Sequence, residues 1–197
     1  DFCSDNDVDL LFEPSAEEIY YKDEPLIKNN NYNNILCDKF RKGHFDGVIT
    51  VLNKFFTIIK SNKVYFGEKD FQQLKIIEKF IQEKYKSLDL VSVPTKRSEE
   101  GIAYSSRNEK LSKKQIQDFI SFHQQTENFL KSLKKTFDIE TANQKAKDFI
   151  VEQDIEELDY FEFRNNDDLS FNGTVSESRL FYAIYKGGVR LIDNLKV

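Results

Sequence analysis

Apolar residues recur along the middle of this chain with two alternating periods. Val48, Val51, Leu52, Phe55, Phe56 and Ile59 fall at helical spacing and predict an amphipathic helix. Val64-Tyr65-Phe66 predicts a strand over about 63–66, stopped at Gly67. Phe71, Leu74, Ile77 and Ile81 predict a second helix over about 70–85, with one buried face. Leu88-Asp89-Leu90-Val91-Ser92-Val93 predicts a second strand, closed by Pro94. Strands and helices that alternate in this way imply a parallel sheet with helices on its faces.

The flanks read differently. Val8-Asp9-Leu10-Leu11-Phe12 predicts a short buried strand ended by Pro14, and Ser15 is placed to cap a short helix through Ile19. Residues 22–34 are polar and rich in Asn, which predicts a loop. After Thr95 comes a polar loop over 96–108, then a long helix capped by Ser112 and running to about 135. A helix over about 139–151 and strands near 158–164, 178–185 and 188–192 complete the chain. Helices followed by a small antiparallel sheet suggest a second, α+β domain. The expected division is therefore an α/β unit over 1–95 and an α+β unit over 96–197. No internal repeat is evident.

Composition narrows the function classes. A chain of 197 residues, 39% hydrophobic with 18 Phe and 9 Tyr, can bury a sizeable core. The net charge of −5 argues against a protein that coats nucleic acid. No apolar run approaches the ~18 residues of a membrane span, and no signal-like segment opens the chain. Cys3 and Cys37 have neither metal nor redox spacing, so free thiols in a reducing, cytoplasmic compartment are expected, and no residue is assigned to a metal. Asn172-Gly173-Thr174 matches a glycosylation sequon but reads here as a turn.

Candidate chemistry centres on the strand-to-helix turn. Gly67 lets a backbone pass close to a ligand, and helix N-terminal amides favour anions. Lys69 adds a cation, Asp70 a carboxylate that can cap the helix or bind hydroxyls, and Gln72 and Gln73 point different ways. By itself this segment reads first as an ordinary turn with a surface lysine and a capping aspartate. Arg41 and His44, ahead of the first long helix, form either an anion site or a cap with a surface ion pair. Ser105-Ser106-Arg107-Asn108 offers hydroxyls, a fixed cation and an amide, able to close on phosphates or simply to join two domains. His123 is assigned no role, and the charged runs over 110–114 and 131–135 read as solvated faces.

Five segments taken together resemble the pantothenate synthetase (pantoate–β-alanine ligase) family. They are Gly43-His44-Phe45-Asp46-Gly47-Val48, Phe66-Gly67-Glu68-Lys69-Asp70-Phe71-Gln72-Gln73, Pro94-Thr95-Lys96-Arg97, Ala103-Tyr104-Ser105-Ser106-Arg107-Asn108 and Arg190-Leu191-Ile192-Asp193-Asn194. Each alone is weak; their order and spacing from about Val8 to the C-terminus are specific. The resemblance implies an α/β fold: a Rossmann-like parallel sheet, N-terminally truncated, with a smaller C-terminal α+β domain that closes over the site. It implies a homodimeric enzyme that uses ATP and Mg²⁺ to condense (R)-pantoate with β-alanine, acting on neither nucleic acid nor membrane.

The same resemblance implies roles by position. Gly67, Glu68, Lys69 and Asp70 would form an ATP segment, with Lys69 on the phosphates and Asp70 near the ribose. Gln73 would bind pantoate, and the Lys96 backbone would meet adenine. Tyr104, Ser105, Ser106 and Arg107 would form the second ATP segment, while Arg41 and His44 line the cleft. Lys69 and Arg107 would neutralise charge as the pantoate carboxylate attacks the α-phosphate. The resulting pantoyl adenylate then reacts with β-alanine, so no protein nucleophile is needed.

Three positions depart from the family. Lys42 stands where proline is usual, which loosens that turn, and Lys96 and Tyr104 replace apolar residues, with Tyr104 reshaping the nucleotide pocket. The chain opens on Asp1, contains no Met, and has no counterpart of the family's opening Met-Gly-x-Leu-His-x-Gly-His motif. The expectation is that residues 1–197 alone lack the facing phosphate contacts and make little pantothenate. Two other readings stand beside the ligase: an inactive fragment that only binds ligands or dimerises, and another adenylate-forming nucleotidyltransferase. Gln73 together with segment 41–48 favours pantoate over a nucleotide-only site.

Overall fold

The structure is a computed structural model that describes residues 2–197. Two short helices, α1 (Phe2–Asp5) and α2 (Ala16–Ile19), precede α3 (Leu36–Phe40) and α4 (His44–Ile59). Strand β1 (Lys63–Gly67), helix α5 (Phe71–Lys84) and strand β2 (Asp89–Val93) form one crossover unit. After a loop come α6 (Lys113–Ser132) and α7 (Ile139–Val151), then β3 (Glu157–Asn165), β4 (Ser178–Lys186) and β5 (Val189–Lys196).

The sheets follow the expected pattern. β1 and β2 pair in parallel, from Lys63 opposite Asp89 to Gly67 opposite Val93. β3, β4 and β5 form an antiparallel meander with β4 in the centre. Gly187 and Gly188, at φ 58° and 69°, make the two-residue turn between β4 and β5. Positive φ at both positions is what a twisted hairpin needs and what glycine supplies without strain.

Period-two alternation on β4 places the two cores. Leu180, Tyr182 and Ile184 point to one face, where Phe119, Phe122, Ile139, Ala142 and Ala146 of α6 and α7 cover them. Phe181 and Ala183 point to the other, where they meet Leu36, Phe45, Ile49, Phe71, Leu74 and Ile77 from α3, α4 and α5. The second core is thus shared by elements from both sides of Thr95.

Local chemistry explains most boundaries. Ser15 and Ser112 each accept a bond from the N–H three residues on, while Glu18 and Gln115 each accept one from the cap N–H. Both are capping boxes, which satisfy two orphan donors at once. α4 buries Phe45, Ile49 and Phe56; Val48 and Leu52 pack at the edge of that face, and Ile59 is exposed. On α5 all four predicted apolar positions are buried.

The structure corrects some expectations. Residues 8–12 form no strand: Leu10 and Leu11 are 82% and 63% exposed, and Phe12 meets the edge of the Phe55 ring. A strand needs a neighbour for its backbone groups, and among the described residues no strand pairs with this segment. The long helix ends at Ser132 rather than about 135, because Leu133 turns to extended geometry and buries its side chain. β5 runs past 192 to Lys196, since β4 offers it partners as far as Arg179.

Gln72 joins α5 to the asparagine-rich loop and α3. Its Oε1 accepts from the Cys37 N–H at 2.9 Å, and its Nε2 donates to the carbonyls of Ile35 at 3.0 Å and Tyr32 at 3.2 Å. Gln72→Leu is expected to lower the free energy of unfolding by about 2–3 kcal/mol, because buried backbone groups lose their partner. Gln73→Leu, one position on and half-buried, is expected to change it by less than ~0.5 kcal/mol. Urea unfolding of both variants checks this, and equal losses would refute the division between the two glutamines.

Candidate active site

The site lies where the C-terminal end of β1 meets the antiparallel sheet. β1 ends at Gly67 and a single 3₁₀ turn, Glu68–Asp70, leads into α5. Gly67 has φ −73° and open space where a Cβ would stand, so neither strain nor crowding demands glycine there. Asp70 occupies the N-cap position of α5, but its side chain does not cap the helix. It points instead towards the cleft, 4.0 Å from the Lys69 ammonium.

Six of the residues singled out from the sequence line this one cleft: Arg41, His44, Lys69, Asp70, Gln72 and Gln73. α3 contributes Leu36 and Cys37, and the sheet contributes Tyr160, Phe181, Ile192, Asp193 and Asn194. Gly43, with φ +76°, is the N-cap of α4 and turns the chain so that His44 opens the helix. His44 therefore does not cap α4 by its side chain.

Arg41 meets His44 rather than a surface acid. Its Nη1 donates to His44 Nε2 at 2.9 Å. Arginine only donates, so Nε2 is the acceptor and the imidazole carries its proton on Nδ1. Burial, followed by the Arg41 charge, holds His44 below the ordinary histidine value of 6.5, against an opposing pull from Asp70. Arg107 and Arg190 push in the same direction as Arg41, which places both guanidinium groups in electrostatic reach of His44. A neutral imidazole among cations leaves the cleft with an unspent positive field, suited to anions.

The remaining sequence candidates sit outside the cleft lining. The Glu68 carboxylate is taken by Arg179 at 3.3 Å. Lys96 is exposed, and its carbonyl accepts from the Tyr104 N–H at 3.1 Å, closing the base of the 96–104 loop. Tyr104 is 60% exposed. Ser105 Oγ accepts from the Arg107 N–H at 3.2 Å, so one of the two hydroxyls stabilises the loop itself, while Ser106 is exposed. His123 is fully buried on α6 with its ring against Gly101, away from the cleft.

Sequence reasoning assigned no role to Cys37, Tyr160 or Arg190, which the fold joins at the cleft wall. The Cys37 Sγ lies 3.1 Å from the Tyr160 hydroxyl and 3.7 Å from Arg190 Nη2, and Arg190 also bonds Asp159 at 2.7 Å. Burial, then the Cys37 thiol, push the Tyr160 phenol well above its ordinary range. Arg190, Asp193 and Asn194 lie in a segment that carried the family resemblance, but nothing in its spacing shows which of them face inwards.

Comparison with known proteins fits this geometry. The sequence profile of the pantoate-beta-alanine ligase family matches residues 1–196. The chain belongs to the pantoate–β-alanine ligase family. The pantothenate synthetase of Aquifex aeolicus is 36% identical over 203 residues, covering 100% of this chain and 71% of its own length. That of Caldicellulosiruptor bescii is 34% identical, covering 96% and 68%. Among solved structures, the pantothenate synthetase of Thermus thermophilus superposes with a TM-score of 0.86 at 27% identity, covering 99% of this chain and 72% of that one. The pantoate–β-alanine ligase of Francisella tularensis, determined with β-γ ATP and β-alanine, superposes at 0.75 with 31% identity, covering 99% and 67%. The α/β ligase fold of the family is thus the fold of this chain.

The histidines give a direct check on the ligase cleft. Burial is also the main cause that holds His123 below 6.5. Both rings bind protons less readily folded than unfolded. Their share of stability is therefore present above pH 6.5 and is lost as pH falls towards their folded midpoints. These are the only two histidines in the sequence, so ring NMR titration resolves them. Arg41→Met is expected to raise the His44 midpoint and leave that of His123 in place; an unmoved His44 would remove Arg41 from its surroundings.

Proposed function

We propose that this chain performs the ATP-dependent condensation of (R)-pantoate with β-alanine to give pantothenate, through a pantoyl adenylate, releasing pyrophosphate and then AMP. The observation that carries this reading is the convergence of Lys69, Asp70 and Gln73 with Arg41 and a neutral His44 in one cleft of a family member. The ATP and β-alanine in the Francisella tularensis structure support the choice of substrates.

Each role follows from the chemistry of attack on a triphosphate. A carboxylate and a triphosphate repel each other, so the first step depends on charge neutralisation and alignment rather than on a protein nucleophile. Lys69 meets the phosphates, and Arg107, whose charge reaches His44, is the second cation. Gln73, at the start of α5, offers an uncharged amide that holds the hydroxyl and carboxylate of pantoate without competing for protons. Asp70 faces the ribose. Glu68 serves through its backbone, since Arg179 holds its carboxylate. Gly67 and the Lys96 backbone border the adenine side, with Tyr104, Ser105 and Ser106 on the loop that closes over the nucleotide.

ATP enters as its Mg²⁺ complex. In the second step the neutral amine of β-alanine attacks the acyl carbon and AMP departs with its electron pair. The reading divides the labour between residues 1–95, which bind nucleotide and pantoate, and 96–197, which form the lid. It places the enzyme in the cytoplasm as a homodimer.

Product analysis tests the reading. In the full-length enzyme, with Mg²⁺–ATP, pantoate and β-alanine, equal amounts of AMP and pantothenate are expected. ADP instead of AMP would overturn the adenylate route, and binding of ATP and pantoate without either product would favour a ligand-binding module.

Two substitutions separate the roles. In the full-length enzyme, Lys69→Ala is expected to slow pyrophosphate release by at least ~100-fold, the scale of losing a preorganised charge donor. Release within a few-fold of the unsubstituted enzyme would sink that role. Gln73→Ala is expected to weaken pantoate far more than ATP in separate titrations; an equal loss for both would mean that the turn itself had been disturbed.

A further inference from the structure

We propose that Asn194 is a positioning residue for this reaction: its side-chain amide holds the turn that aims Lys69. The inference rests on the role of Lys69 given above. Asn194 lies near the end of β5, 2% exposed, and the turn it reaches lies more than a hundred residues earlier. Its Nδ2 donates to the carbonyl of Glu68 at 2.8 Å and to that of Lys69 at 2.9 Å. Its Oδ1 accepts from Arg179 Nη1 at 2.6 Å. Both N–H donors and the carbonyl are therefore committed, and only an amide can supply that set from one short side chain.

Beyond the backbone bonds of a single 3₁₀ turn, no side-chain cap holds the Lys69 turn. Gly67 gives it no side-chain cap, Asp70 gives α5 none, and neither carries a positive φ that would lock the backbone. The side-chain amide of Asn194 adds a hold on the successive carbonyls of Glu68 and Lys69, and through them on the base of the Lys69 side chain. Asn194 pins both. It also orients Arg179, which reaches the Glu68 carboxylate at 3.3 Å and stacks over the Phe71 ring with its guanidinium carbon 4.1 Å from the centroid. One amide thus holds the backbone on either side of Lys69 and the cation that holds the neighbouring side chain.

Asn194 is itself held from behind. Its carbonyl accepts from Arg97 Nη2 at 3.1 Å, and its N–H donates to the Asp193 carboxylate at 2.8 Å. Arg97 pairs with both oxygens of Asp193, at 2.6 and 3.0 Å. The base of the 96–104 loop, the last strand and the Lys69 turn are therefore one continuous bonded unit.

Asn194→Asp is the discriminating substitution. It keeps the size and the Arg179 partner but replaces two donors by oxygens that face two carbonyls. The enzyme, Asn194→Asp, Lys69→Ala and the double variant are compared by kcat/KM for ATP, read as release of radiolabelled pyrophosphate at saturating pantoate. Asn194→Asp alone is expected to lose on the order of 10- to 100-fold, the cost of slight misplacement of a reacting group, with pantoate affinity unchanged. In the Lys69→Ala background it is expected to cost nothing further, because the group it aims is gone. Equal losses in both backgrounds, or full activity of Asn194→Asp, would overturn the proposal. Full activity of Lys69→Ala would instead overturn the role of Lys69 and is a separate result. If circular dichroism shows Asn194→Asp unfolded, Asn194→Ser, which replaces the two amide N–H donors by one shorter hydroxyl, carries the same comparison.

Discussion

β4 has to be apolar on both faces, and most of the architecture follows from that requirement. Leu180, Tyr182 and Ile184 complete the core beneath α6 and α7, while Phe181 and Ala183 complete the core beneath α3, α4 and α5. A strand buried on both sides belongs in the middle of a sheet, and β3 and β5 flank it. It also fixes what lies opposite the Lys69 turn. Phe181 packs on Phe71, the first residue of α5, with ring centroids 5.9 Å apart. The hydrophobic contact that joins the two halves of the chain is therefore adjacent to the residues proposed to carry the chemistry.

Electrostatics follow the same geography. Four arginines held in the structure each have a carboxylate: Arg97 with Asp193, Arg179 with Glu68, Arg164 with Glu162 and Arg190 with Asp159. Unpaired, such groups would carry the full cost of leaving water. The cleft breaks this pattern. Arg41 spends one donor on an uncharged imidazole, and Lys69 has only a distant contact with Asp70. Positive charge with weak internal partners, inside a wall of apolar residues, is the arrangement that a phosphate ligand completes.

Periodicity made the middle of the fold readable. α5 was legible because Phe71, Leu74, Ile77 and Ile81 repeat with the helix, and Ser112 marked the start of α6 through a local hydrogen bond. Segment 8–12 misled because being a strand depends on a partner that an apolar run cannot supply for itself. The asparagine at 194 and the arginine at 190 could not be ranked from spacing, since their importance lies in which distant backbone they touch. Lys69, Asp70 and Gln73 were legible as a local group. Their meeting with Arg41 and His44 depends on α3 and α4 docking beside α5, which Gln72 secures by hydrogen bonds across more than thirty residues.

The position of Asn194 has a consequence for how the protein comes into being. Its bond to the Lys69 carbonyl spans 125 residues, and of the five strands its own leaves the ribosome last. The parallel pair and α5 have their own contacts and can form while synthesis continues. The aim of the lysine cannot be set until β5 has joined the sheet. A nascent chain would thus gather the residues proposed to bind nucleotide early and gain their alignment only when β5 has emerged, so that translation order itself delays that alignment until β5 has joined the sheet.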